Sequence, residues 1–172
     1  MNEYDEKTAR NESFMRAALR QAVKAGAIGE TPIGAVIVQD GEIIARAYNQ
    51  REKRKNSLCH AEILAIEKAC KKLGGWRLPR CSVYVTLEPC PMCAGAIIQS
   101  RIEKLYFGAY DEKTGCAGSV TNLFEKGLFC HDVEVTGGVL EIESRGMLQE
   151  FFRRLRWEKK EERKKYQYEI HR

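Results

Sequence analysis

The chain has 172 residues, with 29 Lys plus Arg, 24 Asp plus Glu, and 44% hydrophobic residues. This is the composition of one globular domain with its own core, and 4 Pro with 14 unpatterned Gly exclude collagen-like and low-complexity classes. No apolar run approaches the roughly 20 residues of a membrane helix, and residues 1–10 lack the apolar stretch of a signal peptide. The expectation is therefore a soluble, cytoplasmic protein with no membrane partner. Seven Cys in such a compartment are read as reduced thiols, and any close pair among them as metal or redox chemistry. The net charge of +5 is local: residues 153–165 hold eight basic and three acidic side chains, and the remainder is balanced. A solvated helix face is the plain reading of that run, and an arm facing phosphates the sharper one.

Residues 8–25 place Phe14, Ala18, Ala22 and Ala25 at helical spacing, and Gly26 is a stop signal. Residues 33–38 and 42–48 are β-branched runs around Asp40-Gly41, a hairpin turn. A polar, basic loop occupies 49–57. Ala61, Leu64, Ala65, Ala69 and Leu73 predict a helix over 61–73, closed by Gly74-Gly75. Residues 82–87 predict a short central strand. Residues 88–91 turn it into a helix reaching about Ser100, with Pro91 at the first position, where a missing N–H costs nothing. Residues 104–109 predict a further strand, followed by a Gly-rich loop to Ser119. Residues 133–140 predict a weaker strand, interrupted by Gly137-Gly138. A final helix begins at Ser144. On it Leu148, Phe151, Phe152 and Leu155 fall on one side, which predicts core. Beyond Trp157 the stripe stops, and 166–170 reads as a strand fragment or a disordered end. Strands alternating with helices predict an α/β fold whose sheet is covered by helices.

Two motifs carry chemistry. His60-Ala61-Glu62 opens one helix, and Pro89-Cys90-Pro91-Met92-Cys93 sits at a strand-to-helix junction. Two Cys three apart at a helix start can aim both sulfurs at one ion, and the N-terminal N–H groups favour thiolates. With His60 they form an N/S₂ set suited to Zn²⁺, and three protein ligands leave a fourth position open, as in catalytic sites. Glu62 is two residues from His60, placed to exchange protons with a water there without being a ligand.

Other readings of the same residues stay open. Cys90 and Cys93 have the placement of a thioredoxin-like redox pair. A closed structural zinc site would recruit a fourth ligand from Cys59, Cys116 or Cys130; a zinc-stabilised RNA-binding module without catalysis is a further reading. Taken together, however, His60-x-Glu62 followed by Pro89-Cys90-x-x-Cys93 is the signature of zinc nucleobase deaminases.

The sequence resembles the bacterial tRNA-specific adenosine deaminases, within the cytidine deaminase-like superfamily. Beyond the zinc motif, the likeness lies in Pro32 through Val38, Asn49, the stretch from Leu87 to Ala96, the loop from Gly108 to Ser119, and Phe151-Phe152-Arg153. It implies a three-layer α/β/α sandwich around a central mixed five-stranded sheet. Residues 1–157 would form the deaminase domain and 158–172 a charged C-terminal extension. It implies deamination of the wobble adenosine of a tRNA anticodon to inosine, with one Zn²⁺ per chain on His60, Cys90 and Cys93 and with Glu62 as the catalytic proton carrier. Asn49, Ala61, Ile33 and Pro89 would bind the base. Asp111, Lys113, Phe151, Arg153 and Arg156 would bind the RNA. Because Phe152 aligns best with Leu148 and Leu155, Phe151 is expected to be the partly exposed contact. The resemblance further implies a homodimer acting on an anticodon stem-loop, with an arginine tRNA as the expected substrate. The alternative is a deaminase of a free base or nucleotide, such as cytidine, deoxycytidylate or guanine, which the zinc motif cannot separate from the first.

Overall fold

Five strands form one mixed sheet in the order β2-β1-β3-β4-β5. The computed structural model describes residues 3–170. In chain order the elements are α1 (Glu3–Ala27), β1 (Gly34–Gln39), β2 (Glu42–Tyr48), α2 (Arg51–Arg54), α3 (Ala61–Leu73), β3 (Cys81–Leu87), α4 (Pro91–Gln99), β4 (Lys104–Ala109), β5 (Glu134–Thr136) and α5 (Glu141–Ile170). β1 runs antiparallel to β2 and β3, whereas β3, β4 and β5 run parallel. Among the described residues no helix is long and apolar enough to cross a membrane.

Strand side chains alternate between two faces. Ala35, Ile37, Val83, Val85, Leu105 and Phe107 point into one core with Leu64, Ala65 and Ala69 of α3 and Ala94, Ile97 and Ile98 of α4. Val36, Val38, Tyr84 and Tyr106 point into a second core with Met15, Ala17 and Ala18 of α1, and Val139 and Leu140 at the approach to α5 pack against it. Tyr84 and Tyr106, partners in the β3–β4 register, stack at 4.5 Å, and the Tyr84 hydroxyl donates to Asn11 Oδ1 at 2.8 Å. The result is a three-layer α/β/α sandwich.

The directions of the strands decide where a site can form. The register Ala35↔Val85 brings the start of β1 to the end of β3, and Gly34↔Tyr48 brings the end of β2 to the same edge. β4, parallel to β3, also ends there. Ile33, Asn49, Glu88 and Tyr110, each one residue beyond its strand, therefore meet at one rim of the sheet.

Some elements differ from the sequence expectation. α1 begins at Glu3 rather than residue 8, since Glu3, Asp5 and Glu6 suit the positive end of a helix. The basic loop contains the single turn α2. β5 stops at Thr136, because Gly137 lies against Phe107, where a Cβ would come within 2.4 Å of the ring, and Gly138 has φ of +78°. Residues 166–170 are helical to Ile170, neither strand nor disordered end. After Gly146 no Gly or Pro interrupts this helix, and Lys, Arg and Glu are good helix formers.

α1 sits so close to β1 that Gly34 has no room for a side chain. A Cβ there would be 2.1 Å from the Ala18 carbonyl oxygen and 2.4 Å from the Ala22 nitrogen, both backbone. Gly34→Ala is expected to destabilise the fold by about 2–3 kcal/mol in urea unfolding. Gly75→Ala, where a Cβ meets nothing within 4 Å, should change stability by less than about 0.5 kcal/mol.

Candidate active site

Two helix N-termini converge at the shared rim. His60 is the N-cap of α3 and Cys90 the N-cap of α4, both in extended backbone and neither using its side chain as a cap. Their side chains are thus left for each other. His60 Nδ1 lies 3.7 Å from Cys90 Sγ and 3.6 Å from Cys93 Sγ, and the three ligand atoms fall within 4.8 Å of one another. Bonds of roughly 2.1 Å to nitrogen and 2.3 Å to sulfur at a tetrahedral angle give an N···S separation of about 3.6 Å. The triad therefore has the spacing a four-coordinate ion requires. Cys90, receiving a hydrogen bond from Cys93 and facing His60, is brought down to about 4. Cys93, its partner in that bond and buried, is pushed strongly upward.

Beside the triad is Glu62, 4% exposed, in the first turn of α3. Burial raises the pKa of its carboxyl well above the ordinary range, against a smaller lowering by a backbone hydrogen bond and by His60. Such a group keeps its proton to higher pH than an exposed carboxyl does.

Above these groups opens a cavity of about 820 Å³. Ile33, Asn49, His60, Ala61, Glu62 and Cys90 line its inner part, and Asp111 and Lys113 line it from the loop after β4. Pro89 is buried outside that lining, where its carbonyl accepts from the Cys116 N–H at 2.9 Å. Arg153 and Arg156 are exposed and also lie off the wall.

The two phenylalanines of α5 are reversed from expectation. Phe152 is 43% exposed and lines the cavity, whereas Phe151 is half-buried and does not. The phase of the helix is set at Ser144, 1% exposed against Gly108, where a Cβ would meet its Oγ at 2.2 Å. Positions 147, 151 and 155 follow that inward phase, so Phe151 turns toward the sheet and Phe152 toward the cavity.

Two buried carboxylates hold the surroundings in place, and the sequence reading passed over both. Glu30, 1% exposed, accepts from Asn49 Nδ2 at 3.1 Å and from the Lys53 N–H at 2.7 Å, fixing the Asn49 amide. Glu88, 2% exposed, accepts from the N–H groups of Asp111 at 3.0 Å, Ala117 at 2.8 Å and Ser119 at 3.1 Å, and from the Ser119 hydroxyl. Gly115 makes room for this carboxylate, since a Cβ would fall 2.4 Å from it. The available signal was an acid directly after an apolar strand, at the junction that carries the cysteines. Arg145, Leu148 and Gln149 also line the cavity. Their i, i+3 and i+4 spacing, continued by Phe152 at i+7, was visible once the phase of α5 was known.

The MafB19-like deaminase family matches residues 9–156. The chain is 56% identical over 154 residues to the tRNA-specific adenosine deaminase of Bacillus subtilis (strain 168), covering 90% of this chain and 96% of that protein. This chain belongs to the tRNA-specific adenosine deaminase family. The family member of Haemophilus influenzae is 45% identical over 163 residues, covering 94% of this chain and 91% of that protein. A solved structure from studies of A-to-I editing by tRNA:A34 deaminases at the wobble position superposes with a TM-score of 0.74 at 44% identity, over 79% of this chain and 99% of that one. A guanine deaminase from Nitrosomonas europaea has a TM-score of 0.70 at 28% identity, over 81% of this chain and 83% of that one. The fold is thus cytidine deaminase-like, and the resemblance drawn from the motifs is borne out.

In this family member the Glu88 carboxylate gathers three backbone N–H groups of the loop that walls the cavity. Glu88→Gln replaces one acceptor oxygen by a donor facing N–H groups and leaves part-buried donors unpaired, at a cost of about 1–3 kcal/mol. Amide hydrogen exchange at Asp111, Ala117 and Ser119 is expected to accelerate roughly 5- to 150-fold by that cost, with the α3 amides unchanged.

Proposed function

We propose that this chain hydrolyses adenosine to inosine at the wobble position of a tRNA anticodon. The observation that carries this reading is the buried Glu62 beside the His60, Cys90 and Cys93 triad, at the inner end of a cavity wide enough for a base and its neighbours. The names of the relatives support RNA over a free base as substrate.

The donor set fits zinc better than a hard oxygen-seeking cation, since it offers one imidazole and two sulfurs. Held by His60 Nδ1, Cys90 Sγ and Cys93 Sγ, Zn²⁺ would supply a more acidic water at neutral pH, one ion per chain. The rest is the work of side chains. Glu62 accepts a proton from the attacking water, donates it to the ring nitrogen beside C6, and carries the second proton to the leaving amino group. A C–O bond forms at C6, the C–N bond there breaks, and the products are inosine and ammonia. Asn49 has one N–H engaged by Glu30, which leaves its second N–H and its carbonyl oxygen for the base. Ile33 and Ala61 supply apolar contact, and the Pro89 turn presents Cys90. An anticodon loop already offers unpaired bases, so little unstacking is needed. Asp111, Lys113, Phe152 and the basic residues of α5, with Phe151 behind them, form the RNA side.

The same reading includes a cytoplasmic homodimer that acts on an arginine tRNA. Exposed Val120, Leu128 and Phe129 on the segment between β4 and β5 offer apolar surface for a second copy.

The test is incubation with an arginine tRNA bearing a wobble adenosine, read by sequencing as A-to-G change, alongside free guanine and cytidine with ammonia detection. Conversion of the tRNA alone is expected. Turnover of a free base with the tRNA untouched would overturn the proposal. Glu62→Gln should lower turnover by at least about 10²-fold while tRNA affinity stays the same. Elemental analysis should find about one zinc per chain, and His60→Ala should lose it.

A further inference from the structure

α5 continues well past the cavity, and its faces are not equivalent. Arg145, Leu148, Gln149 and Phe152 line the cavity from one face of the helix. Continuing that face by the 3.6-residue period brings Arg156, Lys159, Lys160 and Arg163 into line with them. The acids of the same stretch, Glu158, Glu161 and Glu162, fall on the other side. Arg154 and Lys164 are engaged, with Glu158 at 3.6 Å and with Glu161 at 2.8 Å. Arg156, Lys159, Lys160 and Arg163 form no ion pair among the described residues and are exposed. From Phe152 to Arg163 the helix rises about 16 Å.

We propose that this strip, beginning where the cavity wall ends, binds the phosphate backbone of the RNA stem whose loop enters the cavity. The inference rests on the proposed RNA substrate and extends it from the loop to the duplex. The charge is complementary and the strip is continuous with the cavity wall. No apolar stripe accompanies the cations beyond Trp157, so the strip has no face to bury in a lipid surface. Contacts with phosphate fix position and carry no sequence information. The strip therefore sets how the loop is presented, and the choice of base remains with the cavity.

The experiment compares the full chain with its Lys159→Gln, Lys160→Gln, Arg163→Gln triple variant. Gln keeps a similar helix propensity, and circular dichroism checks that helix content is equal. Affinity is measured by fluorescence anisotropy over a salt series for two RNAs, an anticodon stem-loop and its single-stranded loop alone. For the stem-loop, the variant should bind about tenfold or more weakly, and the slope of log affinity against log salt should fall by about two. For the loop alone both should stay as in the parent. Exchange of the three side chains for the other basic type (K159R, K160R, R163K) should restore stem-loop binding. A remote triple variant of equal charge, Lys7→Gln, Lys24→Gln and Lys72→Gln, should bind as the parent does. Equal weakening for both RNAs, equal weakening in the remote variant, no change at all, or loss of binding to anionic vesicles with the stem-loop unaffected would each overturn the proposal. If the strip behaves as expected and no inosine forms, the strip stands and the deamination reading falls.

Discussion

The architecture depends on bringing two helix N-termini to one end of a strand. β3 must end at Leu87 so that Cys90 can cap α4, and the 49–60 segment must return to the same edge so that His60 can cap α3. Each N-terminus carries partial positive charge, and the two together set His60, Cys90 and Cys93 side by side. The parallel β3-α4-β4 unit and the antiparallel β1–β3 pairing are what let both ends arrive there. Move either helix by one turn, about 5 Å, and three ligand atoms no longer fall within reach of one ion.

Around that centre, buried acids do the positioning that loops cannot do alone. Glu30 and Glu88 stand outside the His60, Cys90 and Cys93 triad, yet one orients the Asn49 amide and the other gathers four donors from the loop after β4. The loop is anchored further on by Cys116 and Phe124, which are buried in the main core, while its backbone N–H groups at 111, 117 and 119 are satisfied by the Glu88 carboxylate. Gly115 and the Glu88 carboxylate are complementary: the missing Cβ is the space the carboxylate occupies.

Much of this was legible in the chain. The helices over 61–73 and from Pro91, and the strand from Lys104, were marked by periodicity and by their stop signals; the joint spacing of His60, Glu62, Cys90 and Cys93 marked the superfamily, and the loop from Gly108 to Ser119 with Phe151-Phe152-Arg153 narrowed it to the family. What was not legible depended on contacts between distant segments. The inward phase of α5 is set by Ser144 meeting Gly108, thirty-six positions earlier, and the apolar pattern of Leu148, Phe151, Phe152 and Leu155 fits two phases almost equally well. Phe152 is apolar and yet belongs to a cavity wall, which composition alone cannot tell from a core. Glu30 and Glu88 carried no signal of their own because their burial arises only when other segments fold over them.

The cavity is also assembled from stretches far apart in the chain, with the loop of residues 110–114 between its inner lining and α5. Its inner lining ends by Cys90, with the last ligand at Cys93, and its α5 wall begins only at Arg145. A ribosome adding about 5–20 residues per second needs roughly 3–10 seconds to make what lies between. During that interval every ligand has been synthesised while one side of the cavity does not yet exist. Synthesis from the N-terminus therefore separates two events in time: the ligand set is complete first, and the means of holding a large substrate over it comes last.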